Sequence, residues 1–238
     1  MAVNLGVQLD TVKEYMKADK KNTLKLLSDI GVRYIEGTNC NALSDSGAGF
    51  NMPAEDMRLL LESFGIKLLG CYVNPIFDED MDEIVEYHQK IGNDKIGLDI
   101  EFFPYDNHDH LKRRCEMFNK IGKLCKKAGM KFYYHNHFQE FQEFGGKFIY
   151  DIILENTDPE LVYMDFDAYW AARAGQNPVK LIDKYKDRIL IMHLCDFPCD
   201  SGESMMVYNN GLKKTSNINY RLFKSMMNPN AFTEIGSG

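Results

Sequence analysis

Short apolar, β-branched runs alternate along this chain with longer stretches whose apolar positions recur every three or four residues. The short runs predict strands over residues 3–8, 33–36, 67–73, 95–100, 131–136, 161–165 and 189–193. The longer ones predict helices over 23–30, 54–64, 81–91, 108–128, 148–156 and 178–185. Gly31, Gly65 and Gly129 each follow a predicted helix and lead into a strand, the place where a left-handed residue closes a helix. Pro53 followed by Glu55 and Asp56 marks a helix start, since proline fits the first turn and acidic residues suit its dipole.

Regular strand–helix alternation implies a parallel sheet with helical crossovers, closed as a barrel or open and doubly wound. The first strand runs into Gln8-Leu9-Asp10-Thr11, not into the G-x-G-x-x-G turn of a dinucleotide-binding sheet. Polar residues collect instead at the carboxyl ends of many strands: Gln8, Glu36, Asn74, Glu101, His135, Asp167 and His193. That is where a (β/α)8 TIM barrel builds its active site. The expectation is a single α/β barrel domain over residues 1–238 that is C-terminally incomplete, because seven strands are legible where a barrel has eight. After His193 come a long loop, a short helical stretch at 219–227 and then Phe232-Thr233-Glu234-Ile235, with no eighth β/α unit. An open edge of this kind exposes unpaired backbone. Either the sequence is a fragment, or a homo-oligomer or second subunit is expected to cover the edge.

Composition narrows the partners. A net charge of −7, from 28 basic and 35 acidic side chains, argues against nucleic acid, whose binding needs clustered Lys and Arg. The basic run around Lys123, Lys126 and Lys127 reads as the solvated face of a helix. No apolar run approaches the ~20 residues of a membrane helix. The amino terminus shows no basic region followed by an apolar one, so no signal peptide is read. The six cysteines form no CxxC pair or zinc-module spacing; with Cys195 and Cys199 read as reduced, a cytoplasmic setting is expected.

Three segments carry chemistry. In Tyr133-Tyr134-His135-Asn136-His137-Phe138-Gln139-Glu140, the two histidines stand at i and i+2 and can project to one side of a strand end. Neutral imidazoles suit a borderline divalent metal, and a nearby carboxylate can orient them or act as a base. In Met164-Asp165-Phe166-Asp167, two acids leave a strand that reads as buried, and a buried charge needs a partner. Asp167 is read as a ligand. Asp165 is read either as a ligand or as a residue that caps a turn or pairs with Arg173. In Arg188 to Asp196 an apolar strand ends in His193; a core histidine taken alone, it reads as a ligand in the company of the other two strand ends.

Taken together, Gly6-Val7-Gln8-Leu9, YHNHFQEF, MDFDAYWAARAGQNP, the arginine-led strand ending HLCD, and FTEIGSG resemble the xylose-isomerase-like sugar phosphate isomerase/epimerase family over nearly the whole chain. The resemblance implies one divalent metal, Mn²⁺ foremost with Zn, Co, Mg or Fe as alternatives, held by Glu, Asp, His and Glu at later strand ends. Asp167 and His193 match the Asp and His. His135 falls where many members place the first Glu, with His137 and Glu140 as competitors, and the last Glu would come from the eighth strand. Cys195 stands where many members carry Lys.

Such sites abstract a proton beside a carbonyl, with the metal stabilising the enediolate. Glu140 or His135 is the expected base. Gln8, Tyr72, His137, Trp170 and Asp196 are the expected contacts to a small-molecule sugar. The leading expectation is a sugar or sugar-phosphate isomerase/epimerase. Its alternatives are a lyase that eliminates from an oxidised sugar or glycoside, and a non-catalytic sugar-binding barrel. A related nuclease would need a trinuclear zinc cluster, with more ligands than can be placed.

Overall fold

The computed structural model describes residues 3–238. The expected fold class is borne out: seven parallel strands with helical crossovers are found among the described residues. The chain divides into two compact units, one running to Asp99 and including Lys120–Phe132, the other comprising Ile100–Asn119 and Tyr133–Gly238.

The first unit contains β1 (Val7–Gln8), α1 (Lys13–Ala18), α2 (Lys20–Asp29), β2 (Tyr34–Asn39), α3 (Ala54–Phe64), β3 (Lys67–Val73), α4 (Met81–Lys90) and β4 (Lys95–Leu98). It also holds the end of α5 (His108–Lys127) and the first residues of β5 (Lys131–His135). β1, β2, β3 and β4 pair in parallel, with Val7 opposite Ile35, Ile35 opposite Leu68 and Cys71 opposite Ile96. The helices turn Leu24, Met57 and Leu61 onto Ile35 and Cys71, a hydrocarbon core from which water is excluded. α3 ends as its sequence predicts: Gly65 adopts φ 62°, and the amides of Gly65 and Ile66 reach Glu62 O and Leu61 O. A side chain at such a φ is strained, so glycine is favoured there.

The second unit contains the end of β5, α6 (Ile149–Glu155), β6 (Val162–Asp167), α7 (Ala168–Arg173), α8 (Pro178–Tyr185), β7 (Ile189–His193) and α9 (Tyr220–Met226). β6 and β7 pair in parallel with Asp165 opposite Ile191 and Asp167 opposite His193, so their ends are level. Arg188, just before β7, explains the arginine-led strand: its guanidinium donates to Val162 O, Leu154 O and Thr157 Oγ1. Met192 in β7 and Leu194 just after it are exposed.

Some boundaries differ from expectation. Residues 3–6 are not strand, and Val3 and Leu5 are exposed; β-propensity without a pairing partner does not make a strand. Helices α1 and α7 were not predicted, both being only six residues long. β6 runs two residues past its predicted end and so carries Asp167 within the strand. No described helix is long and apolar enough to cross a membrane.

Candidate metal centre

Three strand ends in the second unit bring together the residues singled out by sequence. His135 closes β5, Asp167 closes β6 and His193 closes β7. One nitrogen or oxygen from each lies within 4.8 Å of the others. His135 and Asp167 are buried and His193 is half-buried. The rings of His135 and His193 stand 4.8 Å apart, centroid to centroid.

Asp165, two residues before Asp167, shares its side of the strand. Its Oδ2 lies 2.9 Å from His135 Nδ1 and 3.3 Å from His193 Nε2. A carboxylate on one imidazole nitrogen fixes the ring and its tautomer, leaving the other nitrogen to bind. Arg173, the partner considered for Asp165 from sequence, instead pairs with Glu203 at 3.0 Å and lies against the Phe197 ring.

Asp167 also starts α7, because its Oδ1 accepts from the Trp170 amide at 2.7 Å. Its Oδ2 lies 3.9 Å from His135 Nε2, beyond hydrogen-bond reach. Burial pushes the Asp167 carboxyl up to about 6, against the opposing pull of His135, the Trp170 amide and His193. Burial also acts to lower His135, but the charge and hydrogen bond of Asp165 outweigh it, and its proton affinity is raised. Two imidazoles and a carboxylate, brought this close yet not hydrogen-bonded across Oδ2 and Nε2, fit a divalent cation of borderline softness.

Beside this group lies an aromatic wall. His137 packs 4.8 Å from His135, 5.4 Å from Trp170 and 4.9 Å from Phe223. Its Nδ1 is buried without a hydrogen-bond partner. Burial, then the nearby His135 and His193, hold His137 well below its usual pKa. Phe223 comes from α9 and also touches Phe138 and Phe102. It was missed from sequence: the stretch 219–227 was read as helical, but nothing local ties its Phe to residues 85 or so positions earlier.

The other predicted residues fall as follows. Glu140 is fully buried; its Oε1 accepts from Tyr134 Oη at 2.6 Å and its Oε2 from the His137 amide at 2.8 Å. Burial pushes its carboxyl up to about 7, with those hydrogen bonds opposing. The Asp196 carboxylate accepts the amides of Phe197, Gly236 and Gly238, which keep its pKa low. Gln8 and Tyr72 lie in the first unit. Gln8 donates to Thr38 Oγ1 and accepts from the Asp10 amide, and Tyr72 is buried in β3.

No family model matches the chain. Over 96 residues it is 33% identical to the inosose dehydratase of Clostridium beijerinckii, a stretch covering 40% of this chain and 32% of that protein. With the inosose dehydratase of Bacillus velezensis the likeness extends to 191 residues at 25% identity, covering 74% of this chain and 63% of the other. The chain thus spans between about a third and under two thirds of the length of these curated relatives. A sugar phosphate isomerase/epimerase from Parabacteroides distasonis superposes with TM-score 0.74 at 24% identity, over 85% of this chain and 80% of that one. A second structure of that description, from the same organism, gives TM-score 0.67 at 27% identity, over 88% and 87%. A structure of the IolI protein with a bound zinc atom gives TM-score 0.55 at 16% identity, over 75% and 68%. The resemblance read from the sequence is therefore shared by the structure: the chain's structural neighbours are xylose-isomerase-like sugar phosphate isomerase/epimerase barrels, and its curated relatives are inosose dehydratases of the same superfamily.

Proposed function

We propose that this chain carries the metal-holding part of a sugar-modifying enzyme that abstracts a proton beside a carbonyl. The observation that carries this reading is the convergence of His135, Asp167 and His193 at three strand ends. These three would hold the metal, which supplies Lewis acidity to a substrate carbonyl. Asp165 holds His135 in the required tautomer. Trp170 and Phe223 would offer apolar faces to the C–H side of a sugar, and His137 Nδ1, buried and without a hydrogen-bond partner, would meet a hydroxyl. As a ligand, His135 is withdrawn from the base role, which leaves Glu140, the other base candidate read from the sequence, as the group to test.

Return of the proton to carbon makes the reaction an isomerisation or epimerisation. Loss of a neighbouring hydroxyl makes it a dehydration, and the inosose dehydratase relatives favour this second reading. Product mass separates the two, since dehydration lowers it by one water. The metal, with Mn²⁺ and Zn²⁺ foremost, is tested by elemental analysis of the dialysed protein. About one equivalent per chain is expected for the native protein, and none for His193→Ala, which is also expected to abolish turnover. Full activity in that variant would sink the metal-site proposal.

A further inference from the structure

Asn136 stands between the two histidines of YHNH and is completely buried. β5 ends at His135, so beyond it the backbone no longer supplies ladder bonds to β6. The Asn136 side chain takes over. Its Oδ1 accepts the Asp167 amide at 3.1 Å, and its Nδ2 donates to Asp167 O at 3.2 Å. A carboxamide thereby does for Asp167 what a neighbouring peptide group does inside a sheet. Nδ2 also makes a longer contact of 3.5 Å to His137 O.

The demand is chemically specific. Asp167 presents one donor and one acceptor, and a short side chain that answers both must carry a planar amide. Serine or alanine cannot span both groups, and aspartate loses the donor. With its backbone held by Asn136 and its Oδ1 held by the Trp170 amide, Asp167 has one carboxylate oxygen left, Oδ2, facing His135. The residue that fixes Asp167 is also covalently next to His135. Two candidate ligands from different strands are thus set against each other through one intervening side chain.

We propose that Asn136 is a positioning residue that fixes the Asp167 carboxylate relative to His135 and so sets metal affinity and coordination geometry. The proposal rests on the metal reading above. The test is titration of the metal-free protein with Co²⁺, following the visible d–d absorption, for the native chain, Asn136→Ala, Asn136→Leu and Thr157→Ala. Thr157 is buried and bonds Ile153 O and Arg188, near the opposite end of β6, so its variant controls for general loss of stability.

Both Asn136 variants are expected to bind Co²⁺ about 10–100-fold more weakly than the native chain, the range for outer-shell partners of metal ligands. Their absorption bands should change in shape, while Thr157→Ala stays within about twofold of native affinity with an unchanged spectrum. Native affinity and spectrum in either folded Asn136 variant would overturn the proposal. So would failure of both to fold while Thr157→Ala folds, because Asn136 would then be a structural residue. Absence of Co²⁺ and Zn²⁺ binding by the native chain would instead remove the metal reading itself, and this inference with it.

Discussion

The two units bury different chemistry. In the first, hydrocarbon dominates, with Leu24, Ile35, Met57 and Leu61 at its centre and few polar residues among them, His88 and Glu36 included. The second buries His135, Asn136, Gln139, Glu140, Gln142, Asp165, Asp167 and Arg173 beside its aromatic rings. Apolar burial stabilises in proportion to area, at roughly 25 cal/mol per Å². Burying charge costs free energy unless each group finds a partner. The second unit meets that cost with specific pairs: Asp165 on two histidines, Glu140 on Tyr134, and Arg173 on Glu203. The first unit's centre is held mainly by apolar burial, whereas the second also buries polar groups that specific partners make tolerable.

The sharpest way to break this contrast is to truncate each interior in turn. Leu24→Ala in the first unit is expected to lose about 2–5 kcal/mol, because the transfer term and the cavity term add. Denaturant melts would read this, and metal stoichiometry should not change. An equal loss from His193→Ala, which removes a half-buried group at a strand end, would contradict this contrast between the two units.

Next in size are two pH effects of opposite sign. Glu140 is raised from 4.5 to about 7, so its contribution to stability is full below 4.5 and is lost as pH rises through 7. Glu140→Gln in the metal-free protein should remove that slope, and native minus variant stability should fall by up to about 3 kcal/mol between pH 4 and 8. His88 in the first unit is lowered from 6.5 to about 4 by burial, so its contribution is present above 6.5 and is lost as pH falls through 4. For His88→Gln the same difference should therefore rise with pH, by up to about 3 kcal/mol. Urea melts across pH check both, and slopes of like sign would be the contrary result.

The smallest effect is local. Gly65→Ala places a side chain at φ 62° with no atom in its way, so only the backbone conformation is strained. A loss of about 1 kcal/mol is expected, read as a lowered melting midpoint.

Much of the fold was legible because its signals are local. Helix α3 and helix α8, and strands β3 and β7, lie where periodicity and end signals put them. The region 3–6 misled because alternating apolar residues look the same whether or not a strand lies alongside. The site was legible in part. His135, Asp167 and His193 could be picked out because each stands within two residues of a predicted strand's end, a charged or imidazole group after an apolar pattern. Asp165 stayed ambiguous between a ligand, a turn cap and a partner of Arg173, since which groups it meets depends on strand register. Phe223 was not visible at all, since it reaches His137 from a helix far along the chain.

Local pattern along the chain was enough to read the strand–helix order, the polar residues near strand ends and a resemblance that points to sugar chemistry. Tertiary structure alone decided which atoms meet: Asp165 on His135, the Asn136 amide on the Asp167 backbone, Glu140 on Tyr134, and Phe223 against His137. The reason is physical. Periodicity and capping act over one or two turns of chain, whereas a hydrogen bond between residues 30 apart depends on how neighbouring strands are registered.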